Sequence, residues 1–256
     1  MLLLAAGAAQ AQTGTLYLTF DSGTIAVVHG GSVVNSFTFA YGSEEWPIAV
    51  YGDVRTIGAS DYVPTGGQYT LGGTPTGTTY TSPSGFYDWA DSTTNGTSNF
   101  LVDPGSAVVY QTGRDYSNAT ALFATPNYVS RNMGISYDRF NNSLRINVPG
   151  PGIVADYSMS GTLLSSFNPG SWHGGSLAFD PADQTLWLVN NDRGYLEQYS
   201  TAGVFLGEGA AVRQFGTALG GEFNEAPSAT PEPGTLVMFG SGILGLAGVL
   251  RRKINL

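Results

Sequence analysis

Two histidines, no cysteine and nineteen carboxylates make up the reactive inventory of this 256-residue chain. With only His29 and His173, a multi-histidine metal site is excluded, and the lack of cysteine removes thiolate chemistry and disulfides. His173 stands in Ser171-Trp172-His173-Gly174-Gly175, just ahead of an apolar stretch that reads as a strand. From there it could face a central channel as an acid, a base or a ligand; equally, it could be a loop histidine held by local hydrogen bonds. Asp138 and Asp180 each precede turn residues, and their repetition points to turn capping rather than catalysis. Asn190-Asn191-Asp192 offers oxygens that a calcium ion could use, but the spacing of an EF-hand loop is missing. Glu44 and Glu45 are adjacent, and neighbours on a strand face opposite ways, so they do not form a working carboxylate pair. No catalytic constellation emerges, and no cofactor or metal is assigned.

The elements that would position these residues are short strands. Residues 135–165 align with 177–207 at an offset of 42 without a gap. Asp138, Leu144, Gly152, Tyr157, Ser158, Gly161 and Leu164 meet the same residue types at 180, 186, 194, 199, 200, 203 and 206. Seven identities in 31 positions compare with roughly two from average composition. The second copy reads as a four-stranded meander: Ser176–Phe179, Thr185–Asn190, Tyr195–Thr201 and a strand from Val204, with turns at Asp180-Pro181, Asn191–Gly194 and Ala202-Gly203. One such sheet cannot cover both its faces, whereas sheets stacked radially can; a period of 42 fits a propeller blade. The repeat, with Phe179-Asp180-Pro181 and Tyr199-Ser200, resembles the NHL or lactonase-like β-propellers. A β-sandwich or β-solenoid is the structural alternative.

Weaker copies lie upstream. Leu16–Phe20, Thr24–His29 and Ser32–Phe39 form a three-strand meander, whose missing strand a late segment such as Ala211–Phe215 would supply. Phe100–Pro104 matches Leu177–Pro181, with Ala107–Tyr110 as its second strand, and Pro47–Tyr51 with Gln68–Leu71 suggests another blade. Gly72–Asn99, rich in Gly, Thr, Ser and Asn, reads as a long surface excursion. The expectation is an all-β propeller of roughly five four-stranded blades over residues 13–220, then a linker over 221–230.

The C-terminus is of another kind. Pro231-Glu232-Pro233 precedes an apolar run from Thr235 to Leu250 and the cluster Arg251-Arg252-Lys253. At about 1.5 Å per residue the run gives roughly 24 Å of helix, near the minimum for a bilayer core. The basic cluster should stay cytoplasmic, leaving all that precedes it outside. Residues 231–256 resemble the PEP-CTERM sorting signal of exosortase substrates. That resemblance implies an exported Gram-negative bacterial protein, anchored by one transmembrane helix and then processed near the triplet by exosortase, a membrane protease or transpeptidase. It also implies release to the surface, the exopolysaccharide matrix or the medium. Residues 1–11 are apolar and end in Ala9-x-Ala11, which reads as a truncated signal peptide.

Composition agrees with export. Nineteen carboxylates stand before the apolar run against seven arginines, a balance near −12 that excludes nucleic acid as a partner. The triplets at Asn95, Asn118 and Asn141 have the form of glycosylation acceptors and in a bacterium are chance. The functional expectation is a non-enzymatic binding or structural propeller, with extracellular polysaccharide as a candidate partner. The alternative is a secreted propeller hydrolase or lyase with its site at the channel mouth.

Overall fold

A computed structural model describes residues 14–83, 89–126, 133–148, 152–170 and 173–225. The chain divides into two compact units, residues 1–225 and 226–256, and the second lies wholly outside the described residues.

The first unit is a five-bladed propeller. Its strands are β1 (Thr15–Phe20), β2 (Thr24–His29), β3 (Ser32–Thr38), β4 (Ile48–Val50), β5 (Val54–Thr56), β6 (Thr65–Tyr69) and β7 (Pro75–Thr81). They continue as β8 (Ser92–Thr94), β9 (Ser98–Asp103), β10 (Val108–Gly113), β11 (Thr120–Ala124), β12 (Gly134–Asp138), β13 (Ser143–Val148), β14 (Ile153–Ser158) and β15 (Leu163–Phe167). The last are β16 (His173–Asp180), β17 (Thr185–Asn190), β18 (Tyr195–Ser200), β19 (Phe205–Ala211) and β20 (Ala218–Phe223). Four sheets follow chain order, β4–β7, β8–β11, β12–β15 and β16–β19; the fifth is ordered β20-β1-β2-β3. The chain's last strand therefore pairs with its first, Tyr17 opposite Glu222 and Leu16 opposite Phe223, and closes the ring.

Four sequence expectations need correction. The closing strand is β20, not Ala211–Phe215; Ala211 ends β19, and Arg213–Phe215 is a single 3-10 turn. Because β20 runs to Phe223, the propeller extends past the 220 boundary into the stretch read as linker. The excursion Gly72–Asn99 instead holds β7, β8 and the start of β9. Threonine-rich strands such as Pro75–Thr81, exposed along one edge, lack the apolar alternation that marks a strand. Phe100–Pro104 matches Leu177–Pro181 one strand out of phase: β9 is the second strand of its blade, and β16 the first.

The apolar core lies between blades, in five seams. Adjacent residues of one strand enter opposite seams. Leu16 packs toward blade β16–β19 and Tyr17 toward blade β4–β7; Leu177 and Ala178 divide the same way. Burial on both faces explains why β17 reads Leu186-Trp187-Leu188-Val189 without polar alternation. Each such side chain contributes about 1.5–3 kcal/mol when fully buried, and only if the neighbouring blade is present.

The first strands β4, β8, β12, β16 and β20 ring the axis and approach one another closely. A methyl group at 134 would lie 2.2 Å from the carbonyl oxygen of Gly175, and one at 175 would lie 2.3 Å from that of Leu219. Only glycine allows backbones so near. The end of the disc where each first strand turns into its second is the floor, and the opposite end the roof.

Candidate functional site

The axis is polar where the seams are apolar. Asp91, just before β8, is fully buried. Its Oδ1 accepts from the Ser92 amide at 2.8 Å, and its Oδ2 from the amides of Ile135 at 3.3 Å and Gly221 at 3.4 Å. A further bond comes from the Ile48 amide. One carboxyl thus ties first strands from four blades. Thr93 Oγ1 accepts from the Tyr137 amide at 2.9 Å, and Ser136 Oγ from the Phe179 amide at 2.9 Å, so hydroxyls continue the stitching around the ring.

Toward the floor stand Glu222 and Glu225, only 1% and 6% exposed. Oε2 of Glu222 and Oε1 of Glu225 have no hydrogen-bond partner among the described residues. Burial pushes the Glu222 carboxyl well above the usual range, and repulsion from Glu225 adds to the shift. Glu225 is pushed up to about 8, first by burial; Asp138 and Asp180 add to the rise, and Arg139 opposes it. Asp91 is also raised well above the ordinary value by burial, against the pull of its four amide bonds. Burial favours the protonated form of Glu222 and Glu225, which is the form able to donate a proton or a hydrogen bond, whereas the amide bonds to Asp91 favour its carboxylate.

Sequence reasoning missed this column. Glu222 and Glu225 fell in the stretch read as linker, and Asp91 in the stretch read as excursion. The alternation of Leu219, Gly221 and Phe223 is the signal that could have placed Glu222 on a strand.

The aspartates and asparagines that the sequence singled out serve the scaffold. Asp138 Oδ1 accepts from the amides of Phe140 and Asn141, and its Oδ2 binds Arg145 Nη2 at 3.0 Å. Asp180 accepts from the Ala182 amide at 3.0 Å and from the Gly14 amide at 3.4 Å. Both are turn caps, as their repetition suggested. Asn190 donates to Glu197 at 2.8 Å, while Asn191 exchanges two hydrogen bonds with the backbone of Ala218, so their oxygens are committed to the turn and to ring closure. Among the described residues, no group of three or more potential ligating side chains could hold a metal ion. Glu45 is buried and accepts from the amides of Tyr41 and Gly42, each at 2.7 Å, and from Tyr69 Oη at 2.8 Å. His29 lies at the exposed floor edge, its Nδ1 3.2 Å from Gly14 O. His173 opens β16 at the roof end of a first strand, opposite Asn190; its side chain is outside the described part of the structure. A separate recess of about 340 Å³ at the floor of the third blade is lined by Ser98, Gln111, Thr112, Gly113, Asn118 and Thr120, all polar or small and none charged.

Similarity to known proteins falls into two parts. Residues 229–253 match the family model of the PEP-CTERM protein-sorting motif. The chain carries a PEP-CTERM sorting signal. Such a signal implies an exported, exosortase-targeted protein whose precursor is held at the membrane. Pro231, Glu232, Pro233, Arg251, Arg252 and Lys253 all fall within that match, and all lie outside the described residues, as do the expected transmembrane helix and residues 1–13. Among the described residues, no helix is long and apolar enough to cross a membrane.

No curated protein matches the chain. Among solved structures, the propeller is similar to a chain of the nidogen/laminin complex, with 13% identity, coverage of 84% of this chain and 99% of that one, and a TM-score of 0.56. It is also similar to virginiamycin B lyase from Staphylococcus aureus, with 14% identity, coverage of 76% of this chain and 66% of that one, and a TM-score of 0.48. At such identities the likeness is one of fold.

Proposed function

We propose that this is an exosortase-processed protein of the cell surface or exopolysaccharide matrix of a Gram-negative bacterium, whose propeller is a non-enzymatic binding module. The observation that carries the sorting half is the motif match over residues 229–253. The binding half is supported by the uncharged, hydroxyl-rich recess at Ser98, Gln111 and Thr120, whose chemistry suits a polyol such as a sugar chain. Glu222 and Glu225 favour a second reading, a hydrolase or lyase at the channel mouth, because a raised carboxyl pair is the form that a general acid takes.

Three measurements test these readings. Protease added to spheroplasts should digest the propeller and leave a small protected tail; full protection of the propeller removes the export reading. The isolated propeller should be retained on the host's exopolysaccharide, and a Gln111→Ala, Thr120→Ala variant should be retained at least several-fold less. Turnover of a lactone or polysaccharide panel that is lost in Glu222→Gln or in a His173 variant would move the assignment to the enzyme.

A further inference from the structure

The two ends of the disc differ in what they expose. Among the described residues, eight large apolar side chains stand out into solvent. Two, Tyr62 in a roof loop and Tyr195 at the roof end of β18, carry a phenolic hydroxyl. The other six, Val34, Phe140, Leu163, Leu164, Val204 and Phe205, are aliphatic or phenyl groups between 51% and 61% exposed. All six lie at the floor. Phe140 is in the β12–β13 turn; Leu163 and Leu164 open β15; Val204 and Phe205 lead into β19; Val34 stands near the start of β3. Strands β15, β19 and β3 are the outermost strands of three blades that follow one another around the ring, so the six residues form an arc rather than a scatter.

The chain leaves the propeller on the same side. Strand β20 runs toward the floor, and there Asn224 binds the backbone of Thr15 and of Gly52. Nine residues, 226–234, separate Glu225 from the apolar run that opens at Thr235. Fully extended they reach roughly 30 Å, and as a flexible chain about 15–18 Å. An anchored tail therefore keeps the floor within reach of the bilayer, at an effective concentration on the order of millimolar. At that concentration a weak contact is occupied. Phenyl and aliphatic groups projecting from turns and strand ends suit the headgroup–acyl boundary, and binding there scales with the apolar area that enters. The negative balance of the chain directs such a face to a zwitterionic surface rather than an anionic one.

We propose that the floor of blades β12–β15, β16–β19 and β20-β1-β2-β3 is a membrane-docking face that lays the precursor's propeller flat on the bilayer with its roof outward. This rests on the reading of the tail as a membrane anchor. Cutting the tail abolishes the effective concentration, so the same weak contact no longer holds the processed propeller, and release follows from cleavage alone.

The chain contains no cysteine, so single-cysteine labelling is clean. Leu164→Cys and Phe205→Cys on the floor and Tyr62→Cys on the roof would carry an environment-sensitive fluorophore. The full chain would be reconstituted in phosphatidylcholine vesicles containing a nitroxide-bearing lipid. The expected result is lipid quenching at 164 and 205 several-fold above that at 62, reduced to the level of 62 by Leu163→Ser with Val204→Ser. These are solvent-exposed positions, whose substitution leaves the melting temperature nearly unchanged. Flotation of the chain with the vesicles but equal quenching at all three positions overturns the docking face while leaving the anchor intact. Failure to float removes the anchor and the docking face together. Shielding of 164 and 205 from aqueous iodide without lipid quenching assigns the face to a second copy of the chain and overturns the proposal.

Discussion

The seams between blades and the axis that they surround are built from opposite materials. A seam such as that of Val154, Leu177, Phe179, Leu186, Leu188 and Tyr199 is a continuous apolar layer, whereas the axis holds Asp91, Thr93, Ser136 and the Glu222–Glu225 pair. Seams carry stability through area removed from water, which does not depend on protonation. The axis carries specificity, through carboxyl and hydroxyl groups that fix how the first strands meet. Its cost is a dependence on pH. The propeller should therefore respond to damage in two distinguishable ways.

The largest effect belongs to the seams. Phe179→Ala removes a ring that is 1% exposed, and it should destabilise the propeller by about 3–5 kcal/mol. Denaturant titrations at pH 5 and pH 8 should show the same loss. A loss that varies strongly with pH would mean that seam and axis are not separate.

The second effect belongs to the axis and reverses the usual carboxylate behaviour. The folded Glu225 carboxyl is raised to about 8, above its unfolded value. In the interval between the two values the folded state holds a proton that the unfolded state has lost, so stability falls as pH rises through that window. The contribution is fully present below the unfolded value of about 4.3, and it declines by about 1.4 kcal/mol for each pH step of about 1 inside the window. Melting temperature should decline from pH 5 to pH 8. Glu225→Gln should be close to neutral at pH 5, should stabilise at pH 8 and should flatten the slope; Glu222→Gln should act in the same direction. A wild-type melting temperature that rises over this range contradicts the raised Glu225 carboxyl.

The smallest effect is at the turns. Asp180→Ala removes a cap from the Ala182 amide and should cost on the order of 1 kcal/mol, with a shallower pH slope because Asp180 also adds to the rise of Glu225. A loss several-fold larger would place Asp180 in the working axis rather than in its turn.

Legibility in the sequence follows the same division. Seam residues announce themselves, because two-faced burial makes β17 and β1 continuous apolar runs and because two blades still repeat at 42 residues. Strands β16 to β18 accordingly fall within a few residues of their expected positions. The axis does not announce itself. Asp91, Glu222 and Glu225 sit among Gly, Ser and Thr in segments of weak pattern, and only ring closure across 130 residues brings Asp91 and Gly221 together. Strands β7 and β8 were hidden for a related reason: threonine and glycine satisfy a backbone ladder without marking an apolar face. The sorting motif is legible for the opposite reason, since an address read by a membrane enzyme is local in sequence.

Delivery as an anchored precursor, cut free near Pro231-Glu232-Pro233, underlies both the proposed location and the docking face. Intact mass measurement of the protein from its native host, with and without Glu232→Ala, is the decisive experiment. The expected result is a mature form lacking the apolar run, and accumulation of the uncut precursor in the variant, whose membrane insertion is unchanged because residues 235–250 are untouched. A mature form that still ends at Leu256, with the variant indistinguishable from wild type, would refute processing and leave the tail a permanent anchor.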